Sequence, residues 1–237
     1  MNLPSLVCLA ALALPSTGRA ATSSDEVRWE GTLHAVHGGD GSAHVDLKSL
    51  EPKVHLYALG PIARFDGEIT VLDGKAHLVR VGNGGLVTTH DFSAAASFLV
   101  WTRVERWSPP TALSRGPGDP RDLDRLVEDA AVRAGVDTSR PFPFLLEGAF
   151  TSVDLHVMTP PGPTAPAAGS HGGGVPRKIH LAEVRGTALG FFSRKHEGVF
   201  THRGSATHVH LVASDGRSGH VDELRPGPDV AIAFPAR

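Results

Sequence analysis

The residues best placed to do chemistry lie in the stretch Thr207-His208-Val209-His210-Leu211-Val212-Ala213-Ser214-Asp215-Gly216-Arg217-Ser218-Gly219-His220-Val221. Its alternating start reads as a strand, its Ser-Asp-Gly centre as a turn, and its end as the returning strand. Successive side chains of a strand point to opposite faces, so His208 and His210 project together while Val209 and Leu211 pack on the other side. Two neighbouring imidazoles can chelate a metal. A third gives the ligand set of a catalytic zinc site, three neutral imidazoles with the fourth position open. Whether His220 is that third depends on the turn. A two-residue loop of Asp215-Gly216 sets His220 opposite Leu211, on the wrong face, whereas a loop of Asp215-Gly216-Arg217 sets it opposite Val212, beside the other two. The metal reading therefore requires an odd loop or a bulge, which Gly216 and Gly219 can accommodate. The plain alternative is an ordinary wet strand in a chain that has 14 histidines.

These residues need a scaffold, and the sequence outlines a strand-rich one. Val27 to Leu33 alternates apolar and polar residues. Gly67 to Val81 carries the best hairpin signal, two β-type runs around Asp73-Gly74, a preferred type I′ pair. Period two puts Ile69 and Val71 on one face, and Glu68 with Thr70 on the other; a solvated sheet face is the ordinary place for such a glutamate. Asp91 to Trp101 fits helix or strand, and its aromatic and branched end favours strand. A helix is expected over Asp119–Ala134, capped by Asp119, opened by Pro120, closed by Gly135, with an apolar stripe of Leu123, Leu126, Val127, Ala130 and Ala134. Strand resumes from Pro141 to Met158. Thr159 to Gly174 is rich in Pro, Gly and Ala and reads as a flexible connection, and strands return from Lys178.

Residues 1–21 read as a secretory signal: the apolar run Leu3 to Leu14 is too short to span a bilayer, and small residues precede a cleavage point near Ala20 or Ala21. A secreted or periplasmic protein is expected. Cys8 is the only cysteine and falls inside that segment, so a metal site in the mature chain must be built from histidine and carboxylate. Net charge is −2, or about −3 once Arg19 is lost, with both signs scattered. No basic patch is available for a nucleic-acid partner, and no second apolar run is long enough for a membrane span.

His208-Val209-His210 followed by Asp215-Gly216-Arg217-Ser218-Gly219-His220-Val221 resembles the zinc-binding end of the acetolactate decarboxylase family. Three more segments agree in order: Phe65-Asp66-Gly67-Glu68 running to Leu72-Asp73-Gly74, Gly148-Ala149-Phe150-Thr151-Ser152-Val153, and Gly186-Thr187-Ala188-Leu189-Gly190-Phe191. The match runs from about Trp29 to Val221. It implies an α+β fold of two similar strand-rich halves, mixed sheets or a partial barrel with few helices. On this reading the N-terminal half covers 27–158, the connection 159–177 and the metal-binding half 178–237.

The resemblance further implies a Zn²⁺ ion held by His208, His210 and His220, with Glu68 as the catalytic acid beside it. The reaction implied is decarboxylation of 2-acetolactate to acetoin, so the partner is a small 2-hydroxy-3-oxo acid; a homodimer is left open. One position departs from the family. Where members carry an arginine that reaches the substrate, this chain has His156, which cannot give a permanent bidentate clamp. Arg64, Arg177 and Arg217 are candidates to reach the same space, and Glu223 is the nearest substitute for the family's acidic tail. Asp215, Ser218 and Thr187 are candidates to hold the histidines, while His196 and His202 are expected on the rim and His171 in solvent. Two alternatives share this sequence: a zinc-dependent ester hydrolase of the same fold, and a catalytically silent metal-binding domain.

Overall fold

The computed structural model describes residues 26–113, 122–162 and 173–236. The signal-like segment, Asp119, Pro120 and His171 lie outside them. The first part of the chain forms β1 (Arg28–Glu30), α1 (Leu33–His37), β2 (Val45–Asp46), β3 (Leu56–Pro61), β4 (Glu68–Leu72) and β5 (Lys75–Gly82). It continues through β6 (Gly85–Thr89), β7 (Ala95–Ala96), β8 (Leu99–Arg103) and β9 (Thr111–Ala112). After α2 (Leu123–Arg133) come β10 (Phe142–Thr159), β11 (Val175–Phe192), β12 (Thr207–Ala213), β13 (Ser218–Pro226) and β14 (Ala231–Ala233).

Two six-stranded sheets result, ordered β1-β8-β3-β4-β5-β6 and β11-β12-β13-β10-β14-β9, with β2 and β7 paired apart. The architecture is α+β and strand-dominated, as the sequence indicates. In the first sheet Asp73 and Gly74 take positive φ values of 47° and 74°, the type I′ geometry that lets β4 turn directly into β5. Period two then divides the sheet's side chains. Ile69 and Val71 join Leu56, Ala58, Leu78 and Leu99 in an outer core covered by Val45, Leu47 and Ala96. Tyr57, Leu59 and Val100 face the second sheet and meet Leu145, Leu189 and Phe191 there. Each fully buried side chain of this size contributes ~1.5–3 kcal/mol, so the inter-sheet layer fixes how the sheets lie on each other.

β10 and β11, 18 residues each, pair along their whole length from Phe142↔Phe192 to Thr159↔Val175. The Pro/Gly-rich stretch therefore joins two neighbouring strands of one sheet, and β10 hydrogen-bonds with the C-terminal strands. Register shifts at Phe150/Ser152 and Asp154/Leu155 bend β10, so that β10-β11-β12-β13 closes on itself as a partial barrel. Within it the Phe144 ring lies on Gly190, where an added Cβ would stand 2.1 Å from the ring.

The long helix starts later than the sequence suggests. Asp122 caps it, its carboxylate accepting the Arg125 N–H at 3.0 Å, and Gly135 with φ +72° follows the C-cap Ala134. Its buried stripe is Leu126, Val127, Ala130 and Ala131, packed on Phe142, Phe144 and their neighbours; the expected Ala134 is exposed. Asp91 to Trp101 holds β7 and the start of β8, as its composition favours.

Candidate metal centre

The turn between β12 and β13 decides the site. The register is His210↔His220, Leu211↔Gly219 and Val212↔Ser218, and Ala213 N–H donates to Arg217 O at 2.8 Å. The loop is thus Ser214-Asp215-Gly216, odd as the metal reading demands but one residue earlier than Asp215-Gly216-Arg217. His220 stands opposite His210 rather than Val212, and the shift of two keeps it on the histidine face. Gly216, at φ +88°, supplies the left-handed position. On the other side His220 pairs with His156 of β10. Three adjacent strands therefore set His210, His220 and His156 side by side, with His208 two residues along β12.

All four rings are buried. Ring centroids are 4.9 Å apart for His208 and His220, 5.3 Å for His208 and His210, 5.4 Å for His210 and His220, and 4.5 Å for His156 and His220. His208 Nδ1 is bonded to Phe200 O at 2.9 Å, which directs its Nε2 lone pair inward, 3.1 Å from His220 Nδ1. His210 Nδ1 contacts Thr70 Oγ1 at 3.1 Å, and its buried Nε2 has no hydrogen-bond partner among the described residues. A buried polar atom without a partner costs roughly 1–3 kcal/mol, and a cation bound among these nitrogens would satisfy it. The donors are imidazoles only, which suits Zn²⁺ and other late divalent metals.

Glu68 arrives from the other sheet. It is 2% exposed, its Oε1 accepts the Met158 N–H at 3.2 Å, and its Oε2 lies 3.8 Å from His210 Nε2. Burial pushes its pKa up to about 7, against the His156 charge and the Met158 hydrogen bond. It is thus a carboxyl able to hold or release a proton near neutral pH rather than a solvated sheet-face acid. Burial holds His208 and His220 well below the ordinary histidine range, and neighbouring imidazoles push the same way. His210 is lowered to about 3, again chiefly by burial. Neutral imidazole is the form that binds metal. His156 behaves oppositely: burial disfavours its charge, but the Asp222 hydrogen bond at 2.7 Å and the Glu68 and Asp222 charges outweigh it and raise its pKa.

The site opens into a cleft of about 440 Å³ lined in part by His156, His202, His208, His220, Asp222 and Glu223. A small chamber of about 30 Å³ beside it reaches Glu68, Met158 and His37. No arginine or lysine lines either space among the described residues. Arg217 pairs with Asp215 at the turn, Arg177 is exposed on β11, and Arg64 lines a separate cavity with Asp66 and Arg80. None of the three lines the cleft or the chamber.

The supporting residues also differ from those expected. Asp215 is engaged with Arg217, Thr187 lies opposite Val212 on β11, and Ser218 Oγ is buried without a partner among the described residues; Phe200 O, Thr70 and Asp222 hold the histidines instead. Asp222 went unnoticed in the sequence, although it stands two residues after His220 on the same strand. His196 bonds to Ser193 and lines another cavity. His202 packs edge-on against both His208 and His220, at 5.0 and 4.7 Å between centroids, and is half-buried in the wall of the cleft.

Fold and site together define an α+β protein with a buried histidine cluster suited to a metal ion. Solved structures share this fold. Acetolactate decarboxylase from Bacillus subtilis subspecies spizizenii superposes with a TM-score of 0.69 at 17% identity, over 90% of this chain and 86% of that one. Alpha-acetolactate decarboxylase from Bacillus subtilis strain 168 gives 0.64 at 15% identity, over 88% and 84%. A Staphylococcus aureus protein of unknown function, described as similar to alpha-acetolactate decarboxylase, gives 0.65 at 15% identity, over 89% and 84%. No family model and no curated protein matches the sequence.

Proposed function

We propose that this protein is a zinc-dependent decarboxylase that converts 2-acetolactate to acetoin outside the cytoplasm. The observation that supports it most is the meeting of His208, His210 and His220 with buried Glu68 across two sheets of a fold shared with acetolactate decarboxylases. Export rests on the signal-like first 21 residues; among the described residues no helix is long and apolar enough to cross a membrane.

His208, His210 and His220 would hold a divalent cation, which would supply Lewis acidity for the negative charge that builds up as carbon dioxide leaves. His156, its charged form favoured by the Asp222 hydrogen bond, donates toward the substrate carboxylate before that departure. The electron pair of the broken carbon–carbon bond stays on the substrate carbon, and Glu68 delivers the proton that converts it to acetoin. A carboxyl with a pKa of about 7 regains that proton from water between turnovers. The buried wall of Leu33, Val36 and Met158 beside Glu68 keeps bulk water from competing for it.

The test is acetoin formation from racemic 2-acetolactate by the zinc-loaded protein beside Glu68→Gln and His210→Ala. Activity that falls ~10²–10⁴-fold in Glu68→Gln with metal retained supports the acid role. Absence of acetoin from the wild type with zinc bound refutes the decarboxylase. One observation favours a second reading, a metal-dependent ester hydrolase: Asp122, Asp124, Asp222 and Glu223 line the cleft, which suits an uncharged substrate better than an anion. Chelator-sensitive cleavage of neutral esters, without acetoin formation, is its signature.

A further inference from the structure

Two close sets of ligand atoms lie among the described residues, His202-His208-His220 and His156-His220-Asp222, and neither contains His210. Ligand atoms of His202, His208 and His220 all lie within 4.8 Å of one another, and His210 is outside that set, its Nε2 turned toward Glu68. We propose that His202 is an imidazole ligand of the metal centre beside His208 and His220, an inference that rests on the metal reading above.

The segment that carries His202 is held in place on both sides. Before it, Phe200 and Thr201 are fully buried, Thr201 N–H donates to His196 O at 3.2 Å, and the backbone of Val199 accepts from Leu33 N–H at 2.9 Å. After it, the Asp124 carboxylate of α2 accepts from Ser205 Oγ at 3.1 Å, Ala206 N–H at 2.6 Å and Thr207 Oγ1 at 2.6 Å. The ring is thereby presented to His208 and His220 from the cleft side, where the strand histidines leave an approach open. A loosely placed surface histidine would need to be ordered on binding; this one is ordered already, which lowers the entropic cost of ligation.

The charge around the cleft favours a cation as well. Asp122, Asp124, Asp222 and Glu223 line it with no lysine or arginine among the described residues. His202, half-buried, lines that cleft together with His208 and His220.

The measurement uses the full-length protein loaded with Co²⁺, read by its visible spectrum, by the number of imidazoles in X-ray absorption, and by competition with a chromophoric chelator. Wild type, His202→Ala, His210→Ala and the exposed control His180→Ala are compared, with urea midpoints confirming that each is folded. One imidazole fewer is expected in His202→Ala than in the wild type, with the spectrum shifted. The metal dissociation constant should rise by at least the ~10–100-fold that loss of an outer partner costs, and free imidazole should restore the spectrum. A spectrum, ligand count and affinity unchanged in His202→Ala but altered in His210→Ala would overturn the proposal while leaving the metal reading intact. No stoichiometric metal in the wild type would overturn both.

Discussion

Acidification of the metal-stripped protein probes the histidine cluster without presupposing any activity. An unfolded histidine takes up a proton at pH ~6.5. In the fold, burial keeps His208 and His220 well below that value and His210 at about 3. Below pH ~6.5 the unfolded chain therefore takes up protons at these three residues that the native state resists. Glu68 works the other way, because its folded pKa of about 7 lets the native state keep a proton that an unfolded glutamate has mostly lost. His156, also raised in the fold, acts in the same direction as Glu68. The unfolded state is left with an excess on the order of one to two protons, so stability should fall by roughly 1–3 kcal/mol for each pH unit. The cluster's contribution is complete above pH ~6.5 and is lost as the pH falls toward the depressed folded values. Against a typical stability of ~5–15 kcal/mol, a shift from pH 6.5 to 4.5 removes a large fraction. Urea unfolding followed by the fluorescence of the three tryptophans at a series of pH values, after chelation and desalting, reads this directly. Saturating zinc should raise the midpoint at pH 7.5 and lose that effect in acid, where protons compete for the imidazoles. A stability flat or rising from pH 6.5 to 4.5 would mean that the imidazoles carry protons inside the fold, and the neutral-ligand argument would fail.

Three further outcomes follow from particular contacts. Thr70→Val removes the group at His210 Nδ1 and should weaken metal binding ~10–100-fold by chelator competition, with the fold retained. Asp222→Asn removes the charge that raises His156, so the alkaline limb of the activity profile should move to lower pH; an unmoved limb would exclude a cationic His156 from turnover. Gly190→Ala drives a methyl group into the Phe144 ring, and a loss of ~1–3 kcal/mol is expected in the urea midpoint.

What the sequence determined by itself was set by local geometry. Period two was enough to place His208 with His210 and Glu68 with Thr70, and Asp73-Gly74 could only serve a tight hairpin because both positions adopt positive φ. The apolar stripe found α2, though its start and the burial of Ala131 in place of Ala134 depended on how the helix rolls against Phe142 and Phe144. The turn after β12 was legible only as a parity condition: an odd loop puts His220 beside His210, and the choice of Ser214-Asp215-Gly216 came from pairing the whole ladder. The tertiary structure alone decided the rest. Glu68 meets Met158 from 90 positions away, Thr70 meets His210 from 140, and His202 is delivered by a loop pinned to α1 and α2. The tertiary structure also decided the absence of lysine and arginine from the lining of the cleft among the described residues, since Arg64 lines a separate cavity, Arg177 is exposed on β11 and Arg217 pairs with Asp215 at the turn. Dihedral preference and side-chain alternation act within a few residues and can be read along the chain. The chemistry of this site depends on which faces of two sheets are pressed together, and that is settled by burial of side chains distant in sequence.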